Sequence, residues 1–257
     1  MRKRKRNKRK PRILKRIGIA AVAIVLTTAL IYFIMPGLFY SIYNRAIGSY
    51  RPASDDSYNG IDVSHHNGTI HWDKVATDKN VEFAYIKATE GYRHKDKRYA
   101  ANSEGAKRAG IKVGAYHLLT TKMPIATQVS YFCSIAHKDQ QDLIPMVDIE
   151  EDKVRTWTDQ QLQDSLRKFL NLAKQHYGTE PVIYCSHKLY KNKLAPHFDD
   201  NILFLARYGK EPPLLDDTDK QHDIWQFTEH GTVSGISGDV DLDRFGKNTS
   251  INDIKLK

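Results

Sequence analysis

The chain has 257 residues, enough for one large domain or two small ones, and a formal net charge of +10. Eleven Lys or Arg and no acid lie within residues 1–16, so the other 29 basic residues face all 30 acidic residues. The positive charge therefore belongs to the tail. A basic tail could bind nucleic acid, but the segment that follows it argues against this, and we expect no nucleic-acid partner.

An uncharged apolar segment follows the basic tail. Residues 17–34 contain no charged side chain. About 20 apolar residues cross the hydrocarbon core of a bilayer, and a basic flank marks the cytoplasmic side. We predict a cytoplasmic tail at 1–16, one transmembrane anchor at 17–40, a linker at 41–58, and export of the remainder to the extracytoplasmic (periplasmic) side of the membrane. A cleaved signal peptide is the alternative, but its apolar region typically has only 7–15 residues.

From residue 59 onward, short apolar runs alternate with helix-like stretches. One predicted helix ends at Gly110, and another begins after Thr158 and ends at Gly178, with Thr and Gly in their usual capping positions. The predicted strands are Ile61–Ser64, Phe83–Thr89, Lys112–Leu119, Pro145–Glu150, Pro181–Ser186, Ile202–Tyr208, Asp223–Thr228 and Asp239–Phe245.

Strands that alternate with helices over about 190 residues indicate an α/β fold with a parallel sheet. Eight strands favour a closed barrel at 59–250, followed by a short tail at 251–257. Because this length is below the roughly 250 residues of a regular (β/α)₈ barrel, some helices must be short or missing. A doubly wound open sheet is the alternative, but no Gly-rich phosphate loop follows the first strand.

Cysteine and histidine residues give no strong signal for a metal or cofactor. Export would permit a disulfide between Cys133 and Cys185, although two buried free thiols are favoured. His65 and His66 lie close to Asp62, but a histidine pair without a third ligand at a known spacing is a weak metal signal. We expect no metal and no cofactor.

The stretch "PMVDIEE", residues 145–151, carries two acids on one strand face. Asp148 and Glu150 are two residues apart, so they point the same way at a separation of about 6.5–7 Å. Reacting groups of parallel barrels lie at the C-terminal strand ends. The ends of the predicted strands present Asp62, His65, His66, Lys87, Glu90, Tyr116, His117, Asp148, Glu150, Tyr184, Arg207, Tyr208, Trp225, Gln226, Asp239, Asp241 and Asp243.

Acids interleaved with aromatic residues are typical of a carbohydrate site. Glycoside cleavage requires a protonated acid for the leaving oxygen and a negative group near the developing cation. Two adjacent carboxyl groups supply both, since each disfavours ionisation of the other. The spacing alone also permits a solvated strand edge or a metal site, and Asp239 and Asp243 either share the face of Asp241 or are solvated.

The ordered blocks "GIDVSHHNGTIHWDKV", "FAYIKATEG", "AGIKVGAYH", "PMVDIE", "LARYG", "IWQFT" and "GISGDVDLDRF" make residues 60–246 resemble the glycoside hydrolase family 25 lysozymes, the Chalaropsis-type muramidases. The resemblance implies an irregular, flattened β/α barrel with fewer than eight full helices. It also implies hydrolysis of the β-1,4 bond between N-acetylmuramic acid and N-acetylglucosamine in bacterial peptidoglycan, so we expect glycan strands as the partner and a bacterial cell membrane as the location.

The resemblance also implies roles for single residues. Glu150 matches the general acid, and Asp148 the carboxylate that assists the substrate's 2-acetamido group; Asp62 is the alternative for that second role. Asp241 matches an acid that positions the others. The substrate-binding residues are expected to be Tyr116, Tyr184, Tyr208, Trp225, His117 and Glu90.

A non-catalytic glycan-binding barrel and a chitin-type glycosidase remain alternatives. Phe204, Leu118 and Leu119 depart from the family pattern, whereas the four acids match it.

Overall fold

The structure is a computed structural model that describes residues 50–52, 56–215 and 221–257. The predicted tail at 1–16, the predicted anchor at 17–40 and most of the predicted linker lie outside these residues. Among the residues described, no helix has the length and apolar character required to cross a bilayer.

Nine strands of the described chain form one sheet. Their bounds are β1 Gly60–Val63, β2 Phe83–Glu90, β3 His94–Lys95, β4 Lys112–Leu118, β5 Met146–Ile149, β6 Val182–Ser186, β7 Leu203–Ala206, β8 Ile224–Gly231 and β9 Val240–Phe245. The order is β1-β9-β8-β7-β6-β5-β4-β2-β3, and β1 also pairs with β2. That pairing closes eight strands into a barrel, leaving β3 as a short addition to β2. The eight predicted strands and the closed barrel are thus confirmed.

The last strand departs from the predicted parallel sheet. Strand β9 runs antiparallel to both of its neighbours, β8 and β1, while the other barrel pairs are parallel. Its start therefore lies at the end of the barrel where the other strands finish. No long crossover connection is needed between antiparallel neighbours, which is why no helix separates β8 from β9.

The helices surround the barrel unevenly. Their bounds are α1 Trp72–Val75, α2 Tyr99–Arg108, α3 Ile125–Ile135, α4 Glu151–Val154, α5 Asp159–Tyr177 and α6 His187–Leu189, with a π-helical turn at Tyr190–Leu194 and 3₁₀ turns at His65–Asn67 and Lys138–Gln140. Among the helices of the described residues, only α2, α3 and α5 exceed two turns, as expected from the short length of the predicted barrel.

Helix α5 is fixed by its own sequence. Thr158 accepts a hydrogen bond from the backbone N–H of Gln161, whose side chain bonds back to the Thr158 N–H, forming a capping box. Gly178 ends the helix with φ 86°, a left-handed conformation that glycine adopts at little cost. The predicted caps at both ends of this helix are confirmed.

The side chains of the strands divide into two layers. Outward residues such as Val147 and Leu205 pack beneath the helices in the larger apolar cluster. Inward residues such as Phe83, Tyr85 and Phe204 fill the barrel toward the end where the parallel strands begin. Ile254, in the segment predicted as a tail, is fully buried in this inner cluster. Residues 251–257 therefore help to close the end of the barrel where the parallel strands begin.

Candidate active site

A pocket of about 380 Å³ opens at the other end of the barrel, where the parallel strands finish. Inward residues of the strands and residues of the loops beyond them form its walls. The lining residues are Asp62, Val63, Ser64, His66, Asn67, Lys87, Glu90, Tyr116, Leu118, Met146, Asp148, Glu150, Lys153, Tyr184, Tyr208, Gln226, Glu229 and Asp241. Eight of the ten residues predicted from the sequence for the site are among them.

Asp148 and Glu150 differ in environment although they lie two residues apart. Asp148 is an inward residue of β5 and is only 5% exposed. Its Oδ1 atom has no hydrogen-bond partner among the described residues. Glu150 follows the last residue of β5, begins the turn into α4 and is exposed toward the pocket. The strand thus places one carboxyl group in the pocket floor and the other at its mouth.

The pKa of each of these two carboxyl groups is raised. Burial is the main cause of the increase for Asp148, and the negative charges of Glu150 and Asp62 add to it. For Glu150, partial burial and the nearby Asp152 outweigh the opposing effect of Lys153. A raised pKa keeps a carboxyl group protonated closer to neutral pH, which is the state required of a proton donor.

Asp62 is held in a hydrogen-bond network centred on Gln226. The Nε2 atom of Gln226 donates to Oδ2 of Asp62 at 2.6 Å. The hydroxyls of Tyr184 and Tyr208 donate to Oε1 of the same amide at 2.8 and 3.2 Å. Burial raises the pKa of Asp62 to about 6, although the bond from Gln226 lowers it. Since two hydroxyls fix the amide oxygen, Gln226 must present its N–H group to Asp62.

The three acids near β9 have different surroundings. Asp241 lies directly across from Asp62 in the β1–β9 ladder and lines the pocket. Burial, then the charges of Asp62 and Glu229, raise its pKa well above the usual range. Asp243 lies one inward position deeper, fully buried. Asp239 precedes the strand and is exposed, and it pairs with Arg51. Of the two options left open by the sequence, Asp243 shares the face of Asp241 and Asp239 is solvated.

A β-bulge aims Glu90 into the pocket. The β2–β4 register shifts between Lys87 and Thr89, so Thr89 faces outward and Glu90 regains the inward side. Lys87 and Lys153 donate to the two oxygens of Glu90 at 2.8 and 3.3 Å. Burial would raise the pKa of Glu90, but these two ammonium groups outweigh it and lower the pKa.

His117 was predicted as a substrate-binding residue and does not reach the pocket. On β4, Tyr116 points inward, so its neighbour His117 points outward. The imidazole is fully buried between Phe132 and Phe169 and contacts Thr89 Oγ1 at 2.7 Å and Gln128 Oε1 at 3.2 Å. Burial lowers its pKa to about 4. In this structure His117 joins the barrel to α3 and α5.

Trp225 was also predicted to line the sugar subsites, but its side chain likewise points outward, away from the pocket. Its ring is 3% exposed, packs against Phe227 in the outer layer and donates its indole N–H to the Arg207 carbonyl at 2.7 Å. The next residue, Gln226, faces the pocket instead. The predicted position was correct for the strand and wrong for the face.

Sequence reasoning missed several residues that line the pocket. Lys153 and Glu229 were not proposed for the site, and Lys87 and Gln226 were placed at their strand ends without a role in it. Period-two alternation from Trp225 would have identified Gln226, because adjacent strand residues face opposite sides. Lys153 follows Glu150 by three residues, which places both at the mouth once α4 begins at residue 151.

The described residues contain no cluster of three or more His, Cys, Asp or Glu side chains arranged to hold a metal ion. His65 instead contacts the buried Asp96 through Nδ1 at 2.7 Å, while His66 lines the pocket. Cys133 and Cys185 are both buried and free, as favoured from the sequence.

Comparison with known proteins agrees with this geometry. The sequence model for "Glycosyl hydrolases family 25" matches residues 61–236. Lysozyme M1 of Streptomyces globisporus is 32% identical over 223 residues, which cover 78% of this chain and 71% of that protein. The autolytic lysozyme of Clostridium acetobutylicum is 31% identical over 188 residues, which cover 73% of this chain and 56% of that protein.

Solved structures show the same fold. A bacterial lysozyme from Streptomyces coelicolor superposes with a TM-score of 0.70 at 29% identity, covering 77% of this chain and 96% of that one. A family 25 glycosyl hydrolase from Bacillus anthracis superposes with a TM-score of 0.68 at 25% identity, covering 78% of this chain and 94% of that one. These matches confirm the resemblance seen in the sequence blocks.

Proposed function

The chain belongs to glycosyl hydrolases family 25, and we propose that it is a lysozyme whose pocket hydrolyses the β-1,4 bond between N-acetylmuramic acid and N-acetylglucosamine in bacterial peptidoglycan. The observation that carries the proposal is the meeting of four acids in one pocket. Asp62 comes from β1, Asp148 and Glu150 from β5, and Asp241 from β9.

Glu150 is the proton donor in this proposal. It lies at the pocket mouth, where a glycosidic oxygen can approach, and its raised pKa favours the protonated form. Transfer of that proton to the bridging oxygen lets the leaving sugar depart as a neutral alcohol while positive charge develops on the other sugar. Lys153, three residues further on, limits how far the pKa rises and so keeps the proton transferable.

Asp148 assists the substrate's 2-acetamido group. An acetamido N–H group is a hydrogen-bond donor, and Asp148 offers a buried acceptor oxygen that has no hydrogen-bond partner among the described residues. A hydrogen bond between them would orient the acetamido carbonyl oxygen for attack on the developing cation. The bond would also stabilise the positive charge that the acetamido group acquires in that attack.

Asp62 and Asp241 form the opposite wall of the pocket. Gln226 fixes the orientation of the Asp62 carboxyl group, while Asp241 faces it across the β1–β9 ladder. Because neighbouring acids disfavour each other's ionisation, this cluster holds fewer negative charges at neutral pH than it has carboxyl groups. We assign Asp62 to stabilisation of the cation and Asp241 to positioning of Asp62.

Tyrosine side chains supply the sugar-binding surface in this assignment. Tyr116, Tyr184 and Tyr208 line the pocket, and Tyr208 is 40% exposed. Aromatic rings of this kind bury the apolar faces of sugars while their hydroxyls bond to polar groups. Glu90, which accepts hydrogen bonds from two lysines, completes the wall opposite Leu118 in the β2–β4 ladder.

The full-length chain carrying Glu150→Gln tests the proposal. Release of reducing ends from purified peptidoglycan is expected to fall about 10²-fold or more, since a general acid typically contributes 10²–10⁴-fold. Glu151→Gln is the matched control, because Glu151 is the adjacent acid and does not line the pocket. Release by Glu150→Gln at the wild-type rate, with Glu151→Gln also unchanged, would refute the catalytic assignment.

We also propose that the chain is anchored by residues 17–40 with residues 1–16 in the cytoplasm of a bacterial cell. The support is the sequence alone: eleven Lys or Arg before an apolar run without charges. Membrane fractions of cells that express the full chain are expected to contain it at full length. Recovery of a soluble form whose N-terminus lies beyond residue 34 would instead indicate a cleaved signal peptide.

A further inference from the structure

A strongly basic hairpin lies beside the pocket. Strand β2 ends at Glu90, which lines the pocket, and the chain turns back through β3, so that Glu90 is paired with His94. Residues 91–98, "GYRHKDKR", hold four Lys or Arg, one His and a single acid. We call these eight residues the basic hairpin. Outside residues 1–16, acids slightly outnumber bases, so this concentration of positive charge is local.

The one acid of the basic hairpin is withdrawn from the surface. Asp96 is 1% exposed and accepts hydrogen bonds from the backbone N–H groups of His65 at 3.0 Å and Arg98 at 2.8 Å. The His65 ring adds a contact at 2.7 Å. Since this carboxylate is used inside the fold, the exposed face of the hairpin presents only cationic and neutral groups, including Arg93 and Lys97.

Arg93 is held in an unusual conformation. Its φ is 66°, and it is the only non-glycine residue of the described chain with a positive φ. Such a conformation is uncommon for a side chain larger than Asn and persists where surrounding structure maintains it. The guanidinium lies 5.0 Å from the centre of the Tyr92 ring, which packs edge-on against Tyr131 at 5.6 Å. The hairpin therefore presents Arg93 over the Tyr92 ring, which Tyr131 supports.

Side-chain contacts connect the hairpin to the pocket wall. His66 lines the pocket, and its pKa is lowered first by burial and then by His65 and Lys87; within the hairpin, Asp96 raises this pKa and Lys97 lowers it. His66 also packs against His65 with the two rings tilted, and His65 contacts Asp96. The hairpin and the exit of β1 are thus one connected unit at the mouth.

We propose that the basic hairpin binds carboxylates carried by the glycan substrate, namely the peptide carboxylates of the muramic acid residues or the lactyl carboxylate where no peptide is attached. This inference rests on the proposed function. The acids of the pocket repel an anionic substrate, whereas cations beside the mouth attract it and set its direction along the cleft. A neutral chitin-like polymer lacks these carboxylates, so the hairpin also distinguishes the two substrates.

The test uses the full-length chain with Arg93→Gln and Lys97→Gln combined. On peptidoglycan in low salt, KM is expected to rise about 3- to 10-fold with little change in kcat, because surface charges steer and orient the substrate more than they stabilise the transition state. The difference should shrink in about 0.5 M salt, where screening shortens the reach of charge. Lys168→Gln with Lys174→Gln is the matched control: both are exposed lysines on α5, and neither lines the pocket.

Two chemically altered substrates identify the anion. Amidation of the peptidoglycan carboxyl groups should abolish the KM difference between wild type and the hairpin variant. Removal of phosphate-bearing wall polymers with hydrofluoric acid should leave it intact; loss of the difference at that step would assign the hairpin to phosphate and overturn the proposal. An unchanged KM for the hairpin variant in low salt would overturn it too. Failure of the wild type to cleave any glycan would instead refute the proposed function.

Discussion

Replacing Asp62 by Asn should stabilise the barrel at neutral pH. Burial raises the pKa of Asp62 to about 6 from its ordinary 3.8, so its ionised form is disfavoured in the folded protein. That difference corresponds to about 3 kcal/mol of unfolding free energy, since one pH unit is worth about 1.4 kcal/mol. Asn keeps an acceptor oxygen for the Gln226 N–H group and cannot ionise, so the variant avoids the cost.

The direction of the pKa shift determines how the stability of the wild type changes with pH. Between pH 3.8 and about 6 the folded state holds a proton on Asp62 that the unfolded state has lost, so the wild type loses stability as pH rises through this window. Asp62→Asn and wild type should therefore be about equally stable near pH 3.8 and differ by about 3 kcal/mol above pH 6.

Urea unfolding followed by tryptophan fluorescence measures this difference in the full-length chain. All three tryptophans, Trp72, Trp157 and Trp225, lie in the barrel, so residues 1–49 contribute no signal. Asp200→Asn is the control, because Asp200 is exposed and remote from the pocket lining. A variant that is less stable than wild type at pH 7, or a difference that does not change with pH, would refute the reasoning.

Three further substitutions probe single contacts in and around the pocket. Gln226→Met removes the acceptor of two tyrosine hydroxyls, so unfolding free energy should fall by about 1–3 kcal/mol, and an unchanged urea midpoint would contradict this. Lys153→Gln removes a cation that lowers the pKa of Glu150, so the basic limb of the kcat profile against pH should move to higher pH; a shift to lower pH would be the opposite result. Trp225→Phe should leave KM for peptidoglycan unchanged while lowering stability, and a several-fold rise in KM would return this side chain to the sugar subsites.

The strand pattern and the strand that carries Asp148 were predictable because short local signals determine them. The apolar run at Met146–Ile149 and the acids at 148 and 150 specify a strand with one carboxylate-bearing face. Thr158 and Gly178 specify the ends of α5 through hydrogen bonds within a few residues. Such features depend on local chemistry and need no knowledge of the neighbouring strands.

Two features that shape the pocket depend on tertiary pairing, which the sequence alone does not specify. The bulge in β2 that turns Glu90 inward arises from its register with β4. The reversed direction of β9, which brings Asp241 opposite Asp62, depends on the closure of the barrel. His117 and Trp225 were assigned to the pocket because their strands end there, although each is adjacent to a residue that already faces inward. Strict use of the two-residue period would have corrected both.

Mass spectrometry of the fragments that the full-length chain releases from defined peptidoglycan tests the central claim most directly. We predict fragments whose new reducing ends are N-acetylmuramic acid, produced by the wild type and by Glu151→Gln and reduced about 10²-fold or more with Glu150→Gln. Reducing ends of N-acetylglucosamine, or the same fragments in equal amount from Glu150→Gln, would contradict the account.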